Sequence, residues 1–245
     1  MGVQWIGRRH FLRMSLLSIP LACYFSRSFL DLLEKKLSEL GRAWELGESL
    51  FSDVKVIGIG RAGIRITNLI ANRPFPHADL IAIDCDPQEL NISSIQRKIR
   101  IEVPKRGLDL SPAMLSEAVT KDDNILKKSI DAGEAALVIT GLGGITGTEL
   151  TPIVSRIAKE QGAFTTAVAT TPFRFEGTMR ARRADIGLSR LVSSSDFVFL
   201  FENQFFLRRL ENDLSLKEAF LHSDRIVANF VNSLLRSILG DPKMQ

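Results

Sequence analysis

ITGLGGITGTEL, residues 139–150, decides the fold. Ile139 and Thr140 close a buried-looking run that starts at Ala136, and Thr148, Glu149 and Leu150 begin a helical period. Between them, glycines and threonines expose backbone N–H groups just ahead of a helix N-terminus. That arrangement forms a nest for an anion, because the unpaired amides and the helix dipole both favour negative charge. Strand, glycine turn and helix in succession are also one unit of a parallel α/β sheet.

The same unit recurs on both sides. VKVIGIG (54–60) precedes a helix over 64–72, and DLIAID (79–84) precedes one over roughly 111–132. ALVIT (136–140) leads into TELTPIVSRIAKEQG, and TTAVAT (165–170) leads into a helix from about Thr178 to Val192. DFVFLF (196–201) is followed by two further helices, the last being SLKEAFLHSDRIVANFVNSLLRSIL, stopped by Gly240-Asp241-Pro242. Unalternated apolar runs separated by helices read as central strands covered on both faces. Right-handed crossovers then give an α/β fold, a doubly wound and mostly parallel sheet.

A second glycine loop lies in the first unit. Gly58-Ile59-Gly60-Arg61-Ala62-Gly63 follows a strand and opens a helix, and Asp84 ends the next strand. Alone, this is a dinucleotide fingerprint with an acid poised for a ribose hydroxyl, or a tight turn whose glycines serve packing. No Gly-Lys-Ser/Thr follows, so it is not a P-loop. Two phosphate cradles on one sheet edge suit a polyphosphate, whereas an NAD site needs only the first.

These residues resemble the FtsZ/tubulin family. GLGGITGTELTP is similar to that family's glycine-rich signature. The likeness continues through IAIDCDPQEL, TTPFRFEGTMR, FEN at 201–203 and EAFLHSD, over roughly residues 53–240. The resemblance implies a Rossmann-like nucleotide-binding domain over 51–245 that binds GTP or GDP, with or without Mg2+. Gly58, Gly60 and Gly63 would line the phosphates from one side. Gly143, Gly144, Thr146, Gly147 and Thr148 would line them from the other. Glu176 and Arg180 would meet the ribose side. Asn203, Phe220 and Asp224 would hold guanine, the ring by stacking and the carboxylate by accepting from N1–H and the exocyclic amine, a donor pair that adenine lacks. Without the family, the alternative reading is core packing for Phe220 and a solvated helix face for Asp224.

Departures from the family pattern set further expectations. Ile145 stands for the third glycine, and Glu149 replaces a small residue near the helix start, where a solvated carboxylate would oppose phosphate by about 1 kcal/mol. KRGLDLSP (105–112) offers Lys105 and Arg106 in place of the family's loop for the terminal phosphate. The second domain and activating acidic loop that the resemblance implies would lie beyond Gln245. The expected function is therefore a binding or regulatory module of the division cytoskeleton, with weak or partner-dependent GTP hydrolysis, no assembly alone, and full-length FtsZ or another FtsZ-like subunit as partner. The alternatives are a GTPase completed by a partner and an NAD(P)-binding oxidoreductase fragment.

Composition narrows the remainder. Of 245 residues, 45% are hydrophobic and 24% charged, an ordinary globular balance, and a net charge of +4 without a basic stripe gives no footprint for nucleic acid. Cys23 and Cys85 are too few for a disulfide framework or a zinc site. Residues 1–27 are a different text: Arg8-Arg9, then Phe11-Leu12, then an uncharged run from Met14 to Ser26, too short to span a bilayer. They read as a signal-like or membrane-associating segment, which leaves twin-arginine export open beside a cytoplasmic, membrane-associated protein. Residues 28–50 read as an amphipathic helix, with Leu30, Leu33, Leu37, Leu40 and Trp44 on one stripe, followed by a linker.

Overall fold

A computed structural model describes residues 11–14, 21–25, 51–72, 75, 77–103, 111–121, 123–207 and 215–239. The helix expected over 28–50 and the Lys105-Arg106 loop lie outside these residues. Six parallel strands form the body of the sheet: β3 (Val54–Ile59), β4 (Ala78–Asp84), β5 (Arg97–Arg100), β6 (Ala135–Gly141), β7 (Phe164–Thr171) and β8 (Phe197–Glu202). Two antiparallel strands, β1 (Phe11–Met14) and β2 (Leu21–Phe25), extend it beside β8. They fall within the stretch read as signal-like, where the sequence analysis anticipated no strand.

The helices are α1 (Gly60–Ala71), α2 (Pro87–Ile92), α3 (Pro112–Lys121), α4 (Asp123–Ile130), α5 (Ile145–Glu160), α6 (Thr178–Ser194), α7 (Asn203–Leu207) and α8 (Leu216–Leu239). Strand β3 shows how they cover the sheet. Val54 and Val56 pack with Ile66 and Ile70 of α1 and with Val227, Val231 and Leu235 of α8. Ile57 and Ile59 point the other way, into Leu115, Leu126 and Ile130 of α3 and α4 and Leu150 and Val154 of α5. Every residue of β3 is buried, and its one charged residue, Lys55, pairs with Asp53 at 2.8 Å near the start of the strand. Among the described residues, no helix is long and apolar enough to cross a membrane.

Strand order places the site. Across the sheet it runs β1-β2-β8-β7-β6-β3-β4-β5. From β3 the chain winds outward through β4 and β5, then returns to β6 on the other side of β3 and winds away through β7 and β8. The order therefore reverses between β3 and β6, and both glycine loops leave the carboxyl ends of those two strands. In open α/β sheets that switch point is where a crevice forms.

The helix expected over 111–132 is two helices, the second opened by Asp123 and Asn124, which favour helix starts over interiors.

Candidate functional site

The two glycine loops touch. Gly60 opens α1 at φ +70°, and a Cβ there would come 3.1 Å from the Gly147 nitrogen. At Gly147 a Cβ would come 2.5 Å from Thr140 Oγ1 and 2.6 Å from the Gly141 oxygen, so only glycine allows the approach. Helices α1 and α5 both start here. Neither has a side-chain cap or an acidic residue in its first turn. The first amides of α5, on Ile145, Thr146 and Gly147, have no intrahelical acceptor, and two positive helix ends converge on one space. Gly144 caps α5 in extended backbone, φ −74° and ψ 154°, and a Cβ on it would meet nothing within 4 Å.

That space is a cavity of about 760 Å³. Of the residues expected to bind phosphate, Gly60, Gly144, Thr146 and Gly147 line it. Gly58, Gly63, Gly143 and Thr148 do not. A Cβ on Gly63 would sit 2.2 Å from the Ile139 oxygen, and one on Gly58 would sit 2.4 Å from Thr67 Oγ1, so these two glycines let α1 lie against β3 and β6. Gly143 turns the loop at φ +98° and donates its N–H to Thr148 Oγ1 at 2.8 Å, so this pair shapes the loop from behind. Glu149 lies beyond the first turn of α5 and pairs with Arg190 at 2.7 Å, so it is not part of the cavity wall. Ile145 does line the cavity.

At the far end stand Glu176, Arg180, Asn203, Phe220 and Asp224. Glu176 accepts from the Phe173 N–H at 2.8 Å and pairs with Arg180 at 2.5 Å. Phe220 meets Phe173 and Phe175 edge-on, with ring centres 5.1 and 5.9 Å away, and keeps one side partly open. Asn203 Oδ1 accepts from the Ser223 hydroxyl at 2.5 Å. Asp224 is 4% exposed and pairs with Arg65 at 2.8 Å. Burial raises its pKa above the ordinary aspartate value, and the Arg65 charge offsets part of that rise.

Sequence reasoning missed several wall residues. Arg65 sits four residues after Arg61 and so on the same face of α1, a spacing that could have flagged it. Arg61 itself is paired with Glu89 and lines the cavity with its exposed side chain. Asp84 was not missed: read from the sequence as an acid poised for a ribose hydroxyl, it ends β4 and accepts from the N–H groups of Cys85 at 2.7 Å and Asp86 at 3.0 Å, both through Oδ1. Burial raises its pKa, and those two amides lower it in part. The Cys85 sulfur lies 3.1 Å from Thr146 Oγ1, and burial pushes its thiol pKa up.

Known proteins share the sequence pattern and the fold. A family model described as the Tubulin/FtsZ family, GTPase domain, matches residues 53–211. The cell division protein FtsZ of Aquifex aeolicus is 34% identical over 184 residues, which is 74% of this chain and 50% of that protein. FtsZ of Mycoplasmopsis pulmonis is 30% identical over 185 residues, 75% of this chain and 47% of that protein. The chain thus spans about half the length of these relatives. An empty FtsZ dimer structure from M. jannaschii superposes with a TM-score of 0.71 at 30% identity, covering 89% of this chain and 61% of that one. A GDP-bound CetZ1 monomer from Haloferax volcanii, at 18% identity and TM-score 0.65 over 78% of this chain and 62% of that one, shares the fold. None of these is an NAD(P)-dependent oxidoreductase, so that alternative gains no support from them.

Proposed function

Because the chain belongs to the tubulin/FtsZ family, we propose that its cavity binds GDP or GTP. The observation that carries this reading is the meeting of two uncapped helix N-termini at one end of a cavity whose other end holds an aromatic face and a buried carboxylate. The phosphates lie against Gly60, Gly144, Thr146 and Gly147, where backbone donors and helix dipoles need no side-chain charge. The ribose lies by Glu176 and Arg180. Guanine lies at Phe220, with Asp224 accepting from its two donors and Asn203, held by Ser223, reading a neighbouring edge. Asp84 fits the one or two carboxylates with which a protein usually meets a phosphate-bound Mg2+. That ion would neutralise phosphate charge beside an otherwise repulsive wall.

The role that follows is binding or regulation within the division cytoskeleton, in company with an FtsZ-like subunit. Partner dependence of hydrolysis is supported by how the cavity's acids are engaged. Glu89, Glu176 and Asp224 are each in an ion pair with an arginine. Asp86 caps α2 through the Gln88 N–H, and Asp84 accepts two backbone amides. A general base for water must be free to accept its proton, whereas Glu89 is ion-paired, Asp86 caps α2, and the reading above gives Asp84 to Mg2+, Glu176 to the ribose and Asp224 to guanine. Within residues 1–27, whose strands β1 and β2 pair with the sheet, Arg8 and Arg9 supply charge for attachment to an anionic membrane surface.

Calorimetry of the full chain with GDP, GTP, ADP and NADH tests the site. GDP and GTP are expected to bind at least about tenfold more tightly than ADP, a difference of about 1.4 kcal/mol. NADH binding more tightly than GTP would overturn the assignment.

A further inference from the structure

Arg65 reaches from α1 to the base end of the cavity. Its Nε donates to Asp224 Oδ2 at 2.8 Å and its Nη2 to Oδ1 at 3.4 Å. Its Cζ lies over the Phe220 ring, 5.5 Å from the ring centre. One side chain therefore engages both groups assigned above to guanine. The match is chemical as well as spatial. A guanidinium is flat and presents neighbouring N–H donors along one edge. Guanine presents the same pattern, N1–H beside the exocyclic amine, and both stack on aromatic faces. Adenine has no such donor pair on that edge.

The two partners differ in freedom. The Asp224 side chain is 6% exposed and fixed in the middle of α8, whereas that of Arg65 is 37% exposed on a long aliphatic stem. When a ligand enters, Arg65 is the group that can leave.

Resting on the guanine-nucleotide reading above, we propose that Arg65 is an internal competitor for the base subsite and thereby sets both affinity and purine selectivity. Guanine gains Asp224 and Phe220 only as Arg65 swings aside, so binding exchanges one charge-assisted contact for another. The apparent affinity is reduced by the fraction of molecules in which Arg65 fills the subsite. Adenine cannot replace the arginine's donors on the carboxylate, so loss of the arginine opens to it only the Phe220 face and its gain is the smaller.

The test titrates GDP and ADP into the full-length wild type, Arg65→Ala and Arg65→Gln, with melting curves to establish that each is folded. The glutamine variant leaves an amide donor near the buried carboxylate and serves if the alanine variant does not fold. GDP affinity is expected to rise about tenfold or more in Arg65→Ala and by a smaller factor in Arg65→Gln, while ADP affinity changes by less than about threefold. On the wild type, the side-chain N–H resonance of Arg65 is expected to shift with GDP and to stay with ADP. A folded variant that binds GDP equally or more weakly than the wild type would overturn the proposal, because Arg65 would then be a bystander or a support for Asp224. If no form of the protein binds GDP, the nucleotide reading itself fails and takes this one with it. The two failures are thus distinguishable.

Discussion

Replacing Gly144 with valine separates a binding role for the second glycine loop from a role in folding. Gly144 has φ −74° and ψ 154°, backbone that valine adopts freely, and a Cβ there meets nothing within 4 Å. Valine is a poorer helix cap than glycine by about 0.5–1 kcal/mol, and stiffening the unfolded chain returns about 0.4–1 kcal/mol, so stability changes little. The side chain instead enters the space in front of the first amides of α5. Displacing a phosphate from even one charge-assisted hydrogen bond there costs about 1.5–3 kcal/mol, or about 10- to 150-fold in affinity. Gly63→Val is the contrasting variant: its Cβ would lie 2.2 Å from the Ile139 oxygen, so the fold itself must give way. Melting curves with GDP and GTP titrations on both variants form the assay. A folded Gly144→Val protein with wild-type affinity would refute the phosphate site and leave the loop as a turn.

Asp224→Ala should weaken GDP binding by about 1–3 kcal/mol and leave ADP unchanged, as competition titrations can measure; equal losses for both would remove Asp224 from the base site. Burial holds the Asp224 pKa above its ordinary value, and only the ionised form accepts both guanine donors. GDP affinity should therefore fall on acidification through that raised pKa, at a higher pH than an ordinary aspartate would give. ADP titrated over the same range should show no such fall. Asp84 is raised by burial too, so the folded state favours its protonated form: that contribution is full below the unfolded pKa and is lost as pH rises through the folded one. Asp84→Asn keeps an acceptor for the Cys85 and Asp86 amides and should melt higher than the wild type at pH 7, with the gap closing toward acid. A lower melting temperature at pH 7 would contradict the assigned cause.

The sheet was legible where burial on both faces left runs rich in apolar and β-branched residues, as in β3, β6 and β7, with Lys55 the one charge among them. Strand β5 was not, because Arg97, Lys98 and Arg100 leave Ile99 as its one apolar residue at a charged edge. The meeting of the two glycine loops was readable because glycines mark where backbone must come close, as Gly60 and Gly147 do. Yet the sequence does not distinguish a glycine that lines the cavity, such as Gly144, from one that faces a strand, such as Gly63. Arg65 escaped notice because its meaning lies in a partner 159 residues away on another helix. Conversely, the sequence places Glu149 near the helix start but does not show its pairing with Arg190, 41 residues away and outside the cavity wall.

An experimental structure of the full chain with GDP tests the central claim most directly. The expected result has the β-phosphate within hydrogen-bonding distance of the Thr146 and Gly147 amides and the guanine edge on Asp224, with Arg65 moved off Phe220. GDP bound outside this cavity, or seated with its base at the α5 N-terminus and its phosphates by Asp224, would contradict it.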